Sequence, residues 1–160
     1  MRNNALFRLL TVLLIALGLG LFLGGSFSPA MEVIASGSTS SINGVEIFLR
    51  LFSNTFYLLF VIILMVAGLF VGLYFENKTA AVLGGGVAMA SSLGLLYVLI
   101  AFEVENRKSF KASAPAGATF RVDAPYFLMM IGVVIFLLLS ILAIVLALLP
   151  EEKKEAEKAA

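Results

Sequence analysis

The chain of 160 residues has no cysteine and no histidine, and only 13% of its residues are charged. Without cysteine there is no disulfide, no thiolate nucleophile, no thioether-linked haem and no cysteine-held metal. Without histidine the commonest metal ligand and the commonest general base are missing too. Asp and Glu are left as the only strong metal ligands. Nothing present has the make-up of a haem, flavin or iron–sulfur site, so no cofactor and no catalytic or metal-binding residue is expected. Charge is scarce compared with the roughly 25% usual in soluble domains, while 61% of the residues are hydrophobic. That combination excludes a soluble fold and makes the lipid bilayer the expected surrounding. A formal net charge of +1 leaves no basic surface that would argue for nucleic acid.

A second scarcity lies inside the apolar runs. Asp, Glu, Lys and Arg are missing from four long hydrophobic stretches except at their ends. Ionisable groups at membrane depth are the usual mark of proton relays, ion paths and substrate sites, so an ion-coupled carrier is not expected. The deepest polar groups are Ser91, Ser92, Tyr97 and Ser140. A serine in such a helix commonly bonds the carbonyl four residues back on its own helix.

What is present is a plan of four spans. The expected fold is an all-α integral membrane protein, an antiparallel four-helix bundle, with helices over residues 6–25, 44–75, 79–102 and 125–149. Residues 1–150 form one domain, and residues 151–160, EEKKEAEKAA, form a charged tail. The first run follows Arg2 and Arg8. It is long for the apolar part of a signal peptide and reads as an uncleaved first helix. Between the first two spans lies a Ser- and Gly-rich loop, in which 31–34 reads as a short strand and 36–41 as flexible. The second span opens on an amphipathic turn or two bearing Glu46, Arg50, Ser53 and Asn54, where Glu46 and Arg50 are spaced for an intrahelical pair. The FENK segment, 75–78, is a tight turn, so the second and third helices are neighbours. From Glu103 a second loop is expected to run to residue 124, with a mobile middle at 112–118 and strand-like alternation at 119–123. Pro125 opens the last helix.

The third span carries the pattern around which the chain is organised. Ala80, Gly84, Ala88 and Ser92 recur every four residues and line one helix face, where a neighbouring backbone can approach closely. Ala16, Gly20 and Gly24 repeat the spacing in the first span and make it the expected partner of the third. Gly68 and Gly72 notch the second. The run Gly84–Gly86 has no following Lys and is no phosphate loop; it reads as close packing. Glu46, Glu103, Glu105 and Asp123 share the loop side with Arg50, Arg107, Lys108, Lys111 and Arg121, and ion pairs are the expected outcome.

Four spans put both termini on the side of the FENK turn. Lys and Arg number six there and five on the loop side, so only Arg2 and Arg8 beside the first helix favour cytoplasmic termini. The layout of four spans, a first loop with a strand, a tight turn and a second loop resembles the tetraspan plan of claudin-type proteins. The likeness is one of topology: with no Trp and no Cys, the chain lacks the aromatic and disulfide signature of the claudin first loop, and no claudin residue or role carries over. The expected function is that of a non-enzymatic accessory or scaffolding subunit, in contact with other membrane subunits or copies of itself. An oligomeric pore or carrier for small neutral or lipidic molecules, lined by Ser91, Ser92, Tyr97 and Ser140, is the alternative. A membrane enzyme acting at the loop side would need Glu103 or Asp123 joined to a second acid in a cleft.

Overall fold

The computed structural model describes residues 5–35, 38–52 and 55–149. Its elements in chain order are α1 (Ala5–Ser26), β1 (Pro29–Ala35), β2 (Ser38–Asn43), α2 (Gly44–Phe52), α3 (Thr55–Tyr74), α4 (Lys78–Ser113), β3 (Thr119–Val122) and α5 (Ala124–Leu148). α1, α3, α4 and α5 are long and apolar enough to cross a membrane. Each buries a minority of its span within the bundle and turns the rest outward.

The buried faces repeat at alternating three- and four-residue steps. On α5 they run Tyr126, Met129, Val133, Phe136, Ser140, Ala143 and Ala147; on α4 they run Ala81, Gly85, Ala88, Ser92, Leu95, Leu99 and Phe102. That period keeps a straight apolar seam between nearly parallel helices. α5 packs against α1, α3 and α4, whereas α4 packs mainly against α3 and α5. The central helix is therefore α5, not the third span. The first span likewise packs along α5 rather than along α4. Its buried face is Thr11, Ile15, Gly18, Phe22 and Gly25, a seven-residue pattern that lies off the Ala16–Gly20–Gly24 line.

Two stretches differ from the sequence reading. Within the expected helix over 44–75 the described residues form α2 and α3, and Ser53 and Asn54 between them lie outside the described residues. α2 buries Ile47 and Phe48 completely beneath the loop side, with the Phe48 ring 5.5 Å from that of Phe22. The expected Glu46–Arg50 pair gives way to Arg50 lying 6.0 Å from the centre of the Phe102 ring.

The second difference is larger. α4 does not end at residue 102 but continues to Ser113. Charge after Phe102 marks water, not loop, and residues 103–113 contain neither Gly nor Pro. Glu103 and Arg107 form an i,i+4 pair at 2.7 Å with the acid N-terminal, the favourable order. The helix stops at Ala114 (φ −69°, ψ 133°), the residue before Pro115, where the proline ring disfavours helical backbone. Gly117 at φ 84° then turns the chain towards β3.

The two loops are stitched into one antiparallel sheet of order β2-β1-β3. β1 and β2 form a hairpin with Glu32 opposite Ser41 and Val33 opposite Ser40. Part of the stretch expected to be flexible is thus strand; Ser36 and Gly37 lie outside the described residues. β3, from the second loop, pairs with β1 through Val33–Phe120 and Glu32–Arg121. The Phe120 ring lies 5.8 Å from that of Phe110 on the α4 extension, tilted by 40°, fastening the sheet to the helices. The charged tail 151–160 lies outside the described residues.

Candidate functional site

The small residues singled out in the sequence fall into two groups. Inward ones let backbones touch. A Cβ added to Gly68 would sit 2.6 Å from the Gly84 carbonyl oxygen, and one added to Gly84 would sit 2.7 Å from the Gly68 oxygen. Gly72 opposes Gly85, with its added Cβ 3.0 Å from the Gly85 nitrogen, while Ala88 and Ser92 are buried in the same seam and Ala80 is half-buried at its end. Gly85 turns towards α5, where an added Cβ would meet Ile144 at 2.8 Å. Successive glycines thus serve different neighbours.

A second seam joins α1 to α5 and was missed in the sequence. An added Cβ on Gly132 would meet the Gly18 oxygen at 2.6 Å and the Phe22 nitrogen at 2.9 Å. Its signal was the seven-residue step from Gly18 to Gly25, which the four-residue rhythm of Ala16, Gly20 and Gly24 overshadowed. Those three residues face outward: all are exposed, and nothing lies within 4 Å of a Cβ built on Gly20 or Gly24. The reason is that Phe22, about one turn from both Gly18 and Gly25 and so on their face, needs the space against α5.

α4 has an outward line of the same kind. Gly86 and Gly94 have open space at the Cβ position, and Ala90 between them is exposed. Ala90, Gly94, Ser91 and Tyr97 line a shallow groove of about 410 Å³ walled by Val61 of α3. Tyr97 is 73% exposed. Ser92 and Ser140, in contrast, are fully buried and donate to their own helices, to the Ala88 carbonyl at 2.8 Å and the Phe136 carbonyl at 2.7 Å. The four polar groups of the pore alternative therefore do not converge on one cavity within a chain.

Polar contacts between helices sit at the two ends of the bundle. At the turn end the Tyr74 hydroxyl lies 2.7 Å from Thr11 Oγ1 and 3.1 Å from the Arg8 carbonyl, with the Arg8 guanidinium 6.0 Å from the ring centre. At the loop end the Tyr126 hydroxyl, with one proton to donate, lies 3.1 Å from the Leu99 carbonyl and 3.3 Å from Glu103 Oε2. Arg107 extends the chain of contacts from Glu103 to the Phe120 ring. Arg121 pairs with Asp123 at 2.6 Å, and the other oxygen of Asp123 is buried without a hydrogen-bond partner. Among the described residues no three acidic side chains gather as a metal-ligand set; the acids expected on the loop side are dispersed, with Glu103 and Asp123 each taken up by an arginine. No family model, curated protein or solved structure matches the chain, so the likeness to claudin-type proteins stays one of plan.

Proposed function

We propose that the protein is a membrane-embedded accessory or scaffolding subunit that binds other membrane helices through two outward small-residue faces, Ala16–Gly20–Gly24 and Gly86–Ala90–Gly94. The observation that carries this reading is that the bundle leaves both lines uncovered while using other glycines for its own seams. Between helices in lipid there is no hydrophobic driving force, and association rests on close packing, for which small residues at four-residue spacing are the usual device. A bilayer location is supported by the exterior itself: Leu6, Leu13, Phe60, Ile63, Leu83, Leu138 and Leu148 are all more than half exposed on the candidate spans, far beyond the apolar patches a water-soluble monomer carries. Arg8 in the first turn of α1 favours cytoplasmic termini.

Gly84 and Ala88 belong to the internal seam, so Leu at either position would break the fold rather than an assembly. Gly20→Leu and Gly94→Leu are the informative variants. Native mass spectrometry of the protein extracted gently from its own membrane is expected to show the wild type with other polypeptides in fixed ratio, or with further copies. Either variant is expected to lose the partners held at its own substituted line, whatever stays bound elsewhere, while keeping the thermal stability of the single chain. A wild type that leaves the membrane alone, or variants that keep every partner, would overturn the proposal.

A further inference from the structure

The sheet leaves its two edges in different states. β3 is the shorter strand, carries Arg121, and has its Phe120 held by Phe110 and Arg107 of α4. β2, STSSIN, is six residues long, has no charge and no proline, and exposes Ser38, Thr39, Ser40 and Ser41. β1 fills one of its sides, and among the described residues no strand pairs with the other. Along that open side alternate residues present unpaired N–H and C=O groups. Natural sheets guard such edges with charge, proline, bulges or shortness; β3 has two of these devices and β2 has none.

We propose that β2 is an interface strand: two copies of this chain pair β2 against β2 in antiparallel register about a two-fold axis, joining their sheets into one of six strands. A two-fold interface sets each patch against itself, so any charge on the strand would face its like. β2 is the one strand of the three with no charge, since β1 carries Glu32 and β3 carries Arg121. Its small hydroxyl side chains meet across such a pair without clash, and Thr and Ser opposite one another are favourable partners. Affinity comes from main-chain hydrogen bonds, as in strand addition generally. The proposal names a second copy as partner and uses a surface separate from the helix lines, so the two can fail independently.

The cysteine-free chain makes the test direct. Thr39→Cys, Ser40→Cys, Ser41→Cys and, as control, Thr119→Cys on β3 are made singly and oxidised mildly in proteoliposomes at low protein density. A disulfide needs Cα atoms about 4.4–6.8 Å apart, so covalent dimer is expected at Ser40 or Ser41 near the strand centre and none at Thr119. It should persist when Gly20→Leu and Gly94→Leu are added. Equal linking at all four positions, or none at any, would overturn the pairing. As a second reading, Ser40→Lys and Ser40→Glu place like charges across the axis. Each alone is expected to lower the dimer fraction by roughly two- to fivefold, and mixing the two variants should restore it. Dimer that ignores both substitutions, or a mixture no better than either alone, would refute a contact between copies.

Discussion

At the scale of single residues, glycine has two unlike roles in this chain, and position on the helix decides which. Gly68, Gly84 and Gly132 stand where another backbone occupies the space a Cβ would need. Gly86 has the same chemistry and open space. Gly68→Ala should therefore destabilise the bundle by roughly 1–3 kcal/mol, the usual cost of overpacking a closed contact. Gly86→Ala should fall within about 0.5 kcal/mol of wild type, as substitutions away from packed features do. Reversible unfolding in mixed micelles measures both, and equal losses would mean the seams are not as drawn. Gly68, Gly72, Gly84, Ala88 and Ser92 lie on inward faces of α3 and α4, and their spacing is a property of one helix. Ala16, Gly20 and Gly24 have the same spacing but face outward, because which side of a helix meets a neighbour depends on the neighbour.

The same divide runs through the elements. Candidate spans were legible from hydropathy, and the strands at 31–34 and 119–123 from alternation, since both signals are local. The end of α4 is marked in the sequence by Pro115, whereas the onset of charge at Glu103 marks the water boundary and not the end of the helix. Eleven further residues, 103–113, form a stalk that holds the sheet through Phe110 against Phe120 and Arg107 over the same ring. Phe110→Ala should release that hold: amide exchange in 103–113 and in β3 is expected to quicken about tenfold or more, as an aromatic contact worth roughly 0.5–1.5 kcal/mol beyond its buried area is lost. Amides of α1, α3, α5 and residues 78–102 of α4 should be unaffected. Uniform acceleration across the molecule would show that stalk and spans unfold as one unit.

For the whole molecule, α5 is the hub, touching the other three long helices. Phe136 on its inner face is fully buried and lies against Gly18 of α1. Phe136→Ala should lower global stability by about 3–5 kcal/mol, the range for emptying a packed aromatic site, whereas Phe60→Ala, on the 57% exposed outer face of α3, should change little. Denaturant titration of the detergent-solubilised protein distinguishes the two. Comparable effects would mean that Phe60 is covered in the assembled protein, which native mass spectrometry would show as a bound partner. The hub also accounts for α1: its heptad face is filled by α5, which leaves its four-residue line free for something outside the chain.

The sequence by itself determined the mostly helical make-up, the number and approximate starts of the four helices long and apolar enough to span a membrane, the strand-forming character of 31–34 and 119–122, and the lack of thiol and imidazole groups. Each of these follows from composition or from a period within one segment, where the chain's own geometry sets the pattern. The tertiary structure alone decided that α5 rather than α4 is central, which glycines are covered, that the two loops share one sheet, and that β2 is its open edge. These depend on shape matching between segments far apart in the chain, and such matching is a property of pairs of surfaces, which no single stretch of sequence contains.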